Sequence, residues 1–140
     1  MNLKNLMHTE AGWGMTILRI VTGVLFLGHG APKFGFIGDG NLDGVAGMMG
    51  GLGLPAPMVA AFLLAFFETF GGAFLVIGLL TRFWSAGLAF AMFIAVTLVH
   101  LPNGMFAEGG YQWALLLMAC SLALLFEGAG KASLDQKFGN

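Results

Sequence analysis

The sequence WGMTILRIVTGVLFLGHGA, residues 13–31, is a long apolar run interrupted by a single arginine. Its length is close to the roughly 20 apolar residues that an α-helix needs to cross the hydrocarbon core of a membrane. Three further apolar runs of similar character follow at residues 58–80, 83–101 and 111–126. The sequence therefore predicts an all-α integral membrane protein, a bundle of four membrane-spanning helices.

The composition of the whole chain agrees with a membrane location. Of 140 residues, 58% are hydrophobic and 9% are charged, whereas soluble domains average roughly 25% charged residues. The length suits a single domain, residues 1–140, and the formal net charge of -1 provides no basic surface for nucleic acid. A single cysteine, Cys120, excludes an iron–sulfur cluster because the chain lacks the ligands for one.

The basic residues predict how the chain is oriented. An even number of spans places both termini on one side of the membrane, and cytoplasmic flanks are enriched in lysine and arginine. We therefore expect a multi-pass protein of the cytoplasmic membrane with both termini in the cytoplasm. Four basic residues lie on the side of the termini, and one lies on the other side: Lys4, Arg82, Lys131 and Lys137 against Lys33.

The first outward loop, residues 34–57, contains apolar residues at a spacing typical of a helix. This pattern predicts a short helix that lies in the outer membrane interface. The residues that form the pattern are Leu42, Val45, Met48, Met49 and Leu52.

Two charged residues, Arg19 and Glu68, lie inside the first and second spans. Each charge alone would cost roughly 2.5 to 3.5 kcal/mol at the centre of a membrane helix. At 1.5 Å of rise per residue, their levels in two antiparallel helices differ by roughly 6 Å, a gap that an arginine side chain can cover. The sequence therefore predicts an ion pair between them, which could be structural or functional.

A polar face on the first span continues to its outward end. Arg19, Thr22, Phe26, His29 and Lys33 follow steps of three and four, so they share one side of the helix. Hydrated helix ends would explain the outward part of this face, and so would a binding site. The residues expected at the outward helix ends are His29, Lys33, His100, Asn103, Glu108, Tyr111 and Gln112.

The order R-x3-G-x5-H-G-x2-K-x-G, from Arg19 to Gly35, resembles the signature of the DoxX family of small four-helix membrane proteins. The stretches GLGLPAP, ETFGGAFLVIGLLTR, GGYQWALLL and GAGKASLD resemble that family as well, so the likeness covers nearly the whole chain. It implies a redox-associated membrane subunit, with relatives among thiosulfate:quinone oxidoreductase subunits. The candidate site residues that it carries over are Arg19, His29, Lys33, Glu68 and His100.

The first functional hypothesis is a quinone-binding subunit of a membrane oxidoreductase. A histidine or lysine would donate a hydrogen bond to a quinone carbonyl, and Glu68 would relay a proton. Glu108, Tyr111 and Gln112 are secondary candidates for the same site. The chain has no motif for an electron-carrying cofactor, so a flavin would belong to a partner protein.

Two alternatives stay open. One is a haem or copper site at the outward helix ends, formed by His29, His100 and Met105, although the sequence favours neither metal. The other is a non-catalytic scaffold or assembly factor, which binds partner subunits or forms a homo-oligomer in the lipid bilayer through its glycine-rich helix surfaces.

Overall fold

The structure, a computed structural model, describes residues 3–8 and 12–139 of the chain. The described part consists of helices and turns without a β-strand, and three of its helices are long and apolar enough to cross a membrane. A fourth apolar helix is shorter and completes the bundle, so the predicted all-α membrane four-helix fold is confirmed. The first, second and third spans and the fourth helix are Trp13–Phe34, Pro57–Ile77, Thr81–Asn103 and Gln112–Glu127.

The first three spans are not uniform α-helices. Each contains a turn with different hydrogen bonding, either the tighter 3-10 type or the wider π type, and π turns occur often at functional sites. The 3-10 turns are Ala31–Phe34 and Leu101–Asn103, and the π turns are Phe67–Gly71 and Ala95–His100. Glu68 and His100 therefore both lie in π turns, which the sequence did not indicate.

The outer surface of the bundle is apolar, as a lipid environment requires. Ile17, Val59, Phe90 and Leu116 are each more than half exposed, and soluble monomers rarely expose contiguous apolar patches of this kind. The fourth helix has 16 residues, which gives it a length of about 24 Å. It is therefore shorter than the roughly 30 Å of a typical hydrocarbon core.

Small residues allow the first and second spans to approach closely. An added Cβ at Gly72 would lie 2.5 Å from the backbone nitrogen of Leu27 and 2.7 Å from the Gly23 carbonyl oxygen. Ala61 and Ala65 lie on the same face of the second span as Gly72, at steps of three and four, and form with it a stripe of small residues. Both alanines are fully buried. This glycine-rich stripe is therefore used for packing inside the bundle, where an external partner cannot reach it.

We expect Gly72→Ala to destabilise the protein by about 1 to 3 kcal/mol, because its methyl group would overlap backbone atoms that cannot move aside. Gly28→Ala is the matched control, since an added Cβ there meets nothing within 4 Å. That control should be neutral or stabilising, as for other helical glycines. Equal unfolding midpoints for the two variants in detergent would contradict the close crossing.

The long loop after the first span contains the predicted short helix, Leu42–Gly51. Its apolar side packs on the start of the second span, where Val45, Ala46 and Met49 form a small core with Ala61. The short helix that the spacing of apolar residues predicts is therefore confirmed. This helix and the loop around it lie at the end of the bundle that we call the loop end.

The first and last described helices lie together at the opposite end, which we call the terminal end. The N-terminal helix Leu3–Met7 packs on the C-terminal helix Leu134–Gly139. Asp135, only 1% exposed, accepts hydrogen bonds from the backbone nitrogens of Leu80 at 2.6 Å and Thr81 at 2.8 Å. This carboxylate therefore caps the start of the third span, where unpaired N–H groups favour an anion.

Candidate functional site

Arg19 is buried at the terminal end and is held entirely by backbone oxygens. Its guanidinium donates to the carbonyls of Leu75 at 2.6 Å and Val76 at 2.9 Å, which end the second span. It also donates to Ala129 at 2.8 Å and Ala132 at 2.6 Å in the C-terminal segment. Arg19 therefore joins the first span, the second span and the C-terminal segment, a structural role.

The predicted ion pair between Arg19 and Glu68 is wrong. The Arg19 guanidinium lies against Gly78, where an added Cβ would be 2.8 Å from its Cζ atom. Glu68 lies against Gly30, where an added Cβ would be 2.7 Å from the Glu68 carbonyl carbon. Gly30 is about 16 Å further along the first span than Arg19. The two spans are staggered, and the terminal end of the first span packs on the C-terminal segment.

Glu68 pairs instead with Lys33. The Lys33 ammonium contacts Glu68 Oε2 and also donates to the His29 carbonyl at 2.9 Å. The Glu68 side chain is 5% exposed and that of Lys33 is 18% exposed. The 3-10 turn Ala31–Phe34 brings Lys33 back onto the second span, so this lysine does not extend freely into water as the sequence suggested.

His29 borders an apolar cavity between the first span and the fourth helix. The cavity has a volume of about 260 Å³ and is lined by Leu25, His29, Trp113, Leu116 and Leu117. Trp113 is 70% exposed, so this side of the bundle opens toward the lipid. The His29 ring makes no hydrogen bond within the described residues, whereas its backbone carbonyl accepts from Lys33. An unpaired imidazole at an apolar, lipid-facing cavity can bind the polar group of a lipophilic molecule.

His100 is separate from this cavity. Its Nδ1 lies 2.9 Å from the Gly109 carbonyl oxygen, which can only accept, so this nitrogen carries the proton. Asn103 donates to the same oxygen at 3.0 Å. His100 therefore orders the loop between the third span and the fourth helix, and no hydrogen bond among the described residues joins it to His29.

The remaining candidates lie around that loop. Glu108 is exposed, and Tyr111 and Gln112 are partly buried at the start of the fourth helix. Met105 is 36% exposed. Within the described part of the chain, no three histidine, cysteine, aspartate or glutamate residues form a group that could hold a metal ion.

A second cavity lies at the loop end and is polar. It has a volume of about 340 Å³ and is lined by Lys33, Phe34 and residues 39–43, which include the exposed carboxylates of Asp39 and Asp43. Lys33 therefore belongs both to the buried ion pair and to the wall of an open cavity. Sequence reasoning did not identify this cavity, because its walls come together only through the turn that follows Lys33.

Comparison with known proteins gives a consistent result. The family model described as DoxX matches residues 14–101. A Bacillus subtilis protein named "Putative oxidoreductase CatD" is 32% identical over 79% of this chain and 78% of its own length. The uncharacterized membrane protein Rv3486 of Mycobacterium tuberculosis is 28% identical over 94% of this chain and 85% of its own. An uncharacterized protein of Haemophilus influenzae is 34% identical over 89% and 90%. No solved structure matches the chain.

Proposed function

Because this chain belongs to the DoxX family, we propose that it is the quinone-binding membrane subunit of a redox complex. The observation that carries the proposal is the cavity beside His29, which combines apolar walls, an opening toward lipid and one unpaired imidazole. Quinones are lipophilic and reach their binding sites through the membrane. A relative of this chain also carries the word oxidoreductase in its name.

The residues at this cavity fit a quinone head group. Leu25, Leu116 and Leu117 supply apolar contacts, and the Trp113 indole offers a flat face for a ring. The His29 imidazole would donate a hydrogen bond to a carbonyl oxygen. Such sites are typically apolar with a few polar groups that fix orientation.

A quinone accepts two electrons and two protons when it is reduced, so its site needs both an electron source and proton-carrying groups. Histidine side chains are common proton shuttles, and the ammonium of the Lys33–Glu68 pair donates to the His29 carbonyl at 2.9 Å. We assign the electron source to a partner protein, since the sequence has no motif for an electron-carrying cofactor.

The proposal predicts that His29→Leu weakens quinone binding by roughly 2- to 12-fold, the effect of losing one hydrogen bond of about 0.5 to 1.5 kcal/mol. Binding of a short-chain quinone can be measured by quenching of tryptophan fluorescence, and Trp113→Phe should remove most of the signal because Trp113 lines the cavity. His100→Asn is the matched control, since His100 hydrogen-bonds to Gly109 away from the cavity.

Equal quinone affinity in the wild type, His29→Leu and His100→Asn would remove the quinone proposal. A non-catalytic membrane scaffold would then be the better account of the chain. Its partner surface would have to lie outside the glycine-rich stripe between the first and second spans, which is already buried.

For location, we propose the cytoplasmic membrane with the terminal end in the cytoplasm. Support comes from the lysines and arginines of the terminal end, Lys4, Arg82, Lys131 and Lys137. Reporter fusions at Gly40 and at the C-terminus should then report opposite sides of the membrane. Signals from the same side would contradict this topology.

A further inference from the structure

The buried Lys33–Glu68 pair and the polar cavity at the loop end share one residue, Lys33. We infer that protons reach Glu68 from the water at the loop end through this cavity and Lys33, so that the pair exchanges the protons of the His29 site with that side. The part of this inference that leads the protons to a quinone site at His29 rests on the proposed function. The path itself rests on the contacts of Lys33.

Lys33 connects two different environments. Its ammonium contacts the carboxylate of Glu68, whose side chain is 5% exposed, whereas the Lys33 side chain is 18% exposed and the residue also lines the cavity. Ionisable residues inside membrane spans usually serve ion or proton pathways.

The cavity is large and polar enough to hold water. Its volume is about 340 Å³, whereas a water molecule takes up about 30 Å³ in the liquid, so there is room for about ten molecules. Asp39, Asn41 and Asp43 provide the polar partners that ordered water requires. A hydrated cavity therefore reaches Lys33 from the loop end.

Few titratable groups face Glu68. From the first span these are Lys33 and His29. The third span presents apolar side chains to the same π turn, where Trp84 and Leu88 pack on Gly71. Among the described residues, Lys33 is therefore the titratable residue that joins Glu68 to the cavity, and its ammonium also donates to the His29 carbonyl, next to the proposed quinone site.

A water-soluble carbodiimide tests the path without any quinone. This reagent activates a carboxyl group that it can reach through water, and the Lys33 amine then attacks the Glu68 carboxyl carbon. The carbon–oxygen bond breaks, the oxygen leaves with the reagent as a urea, and an amide links the two side chains with net loss of one water. Mass spectrometry of the peptides should find this Lys33–Glu68 link. Asp135 should stay unmodified, since both its oxygens accept backbone N–H groups and it is 1% exposed.

The route is tested by blocking the cavity. Cys120 is the single cysteine, so a Cys120→Ala background accepts one new cysteine at Asp39→Cys or Glu108→Cys. A bulky maleimide on the cysteine at 39 should abolish the Lys33–Glu68 link. The same maleimide on a cysteine at position 108, in the loop between the third span and the fourth helix, should leave the Lys33–Glu68 link unchanged.

Three results would overturn the path. The first is a link that forms with a lipid-soluble carbodiimide but not with the water-soluble one, because Glu68 would then be reached from the lipid. The second is no link with either reagent, which would make the pair sealed and structural. The third is a link that persists when position 39 is blocked. A link that behaves as expected together with unchanged quinone affinity in His29→Leu would leave the path in place and remove the quinone proposal alone.

Discussion

Replacing Arg19 with methionine is expected to destabilise the protein by about 3 to 5 kcal/mol, the loss typical of breaking a buried charged network. The guanidinium is 1% exposed and donates to four carbonyl oxygens on two separate segments. Without it, these oxygens stay buried without a strong donor, which is costly. Equilibrium unfolding in detergent micelles measures the loss.

Two further variants make this test specific. Arg82→Met is the matched control, because Arg82 also donates to carbonyl oxygens, among them that of Phe126 at 2.6 Å, but is only partly buried, whereas Arg19 is 1% exposed. Its cost should be about 1 kcal/mol or less. Arg19→Lys should fall between the wild type and Arg19→Met, since an ammonium keeps the charge but lacks the planar fork of donors. Equal losses for Arg19→Met and Arg82→Met would contradict the structural role of Arg19.

The C-terminal segment explains why sequence reasoning misplaced Arg19. Composition and length predicted the spans well, because the hydrophobic thickness of a membrane fixes the length of an apolar helix. The axial stagger between helices follows from packing, and Gly23, Gly30 and Gly72 set it in this bundle. Nothing in the apolar runs indicated that residues 128–135 return to the first span.

The partner of Glu68 was missed for a related reason. A lysine at a helix end is usually expected to extend toward water, and no anionic partner for Lys33 was apparent from the sequence. The 3-10 turn after Gly30 reverses that expectation by directing Lys33 toward the second span. His29, by contrast, was identified as a candidate from the sequence alone, although Trp113 and the rest of its cavity became visible only in three dimensions.

The Lys33–Glu68 pair should show strong coupling in a double-mutant cycle. Lys33→Met leaves a carboxylate that is 5% exposed without its cation, and we expect it to cost about 3 to 5 kcal/mol. Glu68→Leu should cost less, because Lys33 is 18% exposed and its long side chain can move toward water. The double variant removes both charges, so its loss should be smaller than the sum of the two single losses by about 1 to 3 kcal/mol.

The same cycle between Arg19 and Glu68 is the decisive comparison, because the two pairings make opposite predictions. The side chains of Arg19 and Glu68 share no partner and lie at opposite ends of the contact between the first and second spans. The losses of Arg19→Met and Glu68→Leu should therefore add within about 0.3 to 0.5 kcal/mol. Coupled losses for Arg19 and Glu68 would show that the helix register described above is wrong and that the sequence-based pairing is right. Additive losses for Lys33 and Glu68 would contradict the contact between these two side chains. With additive losses for Lys33 and Glu68, the path from the polar cavity to Glu68 would also lose its central contact.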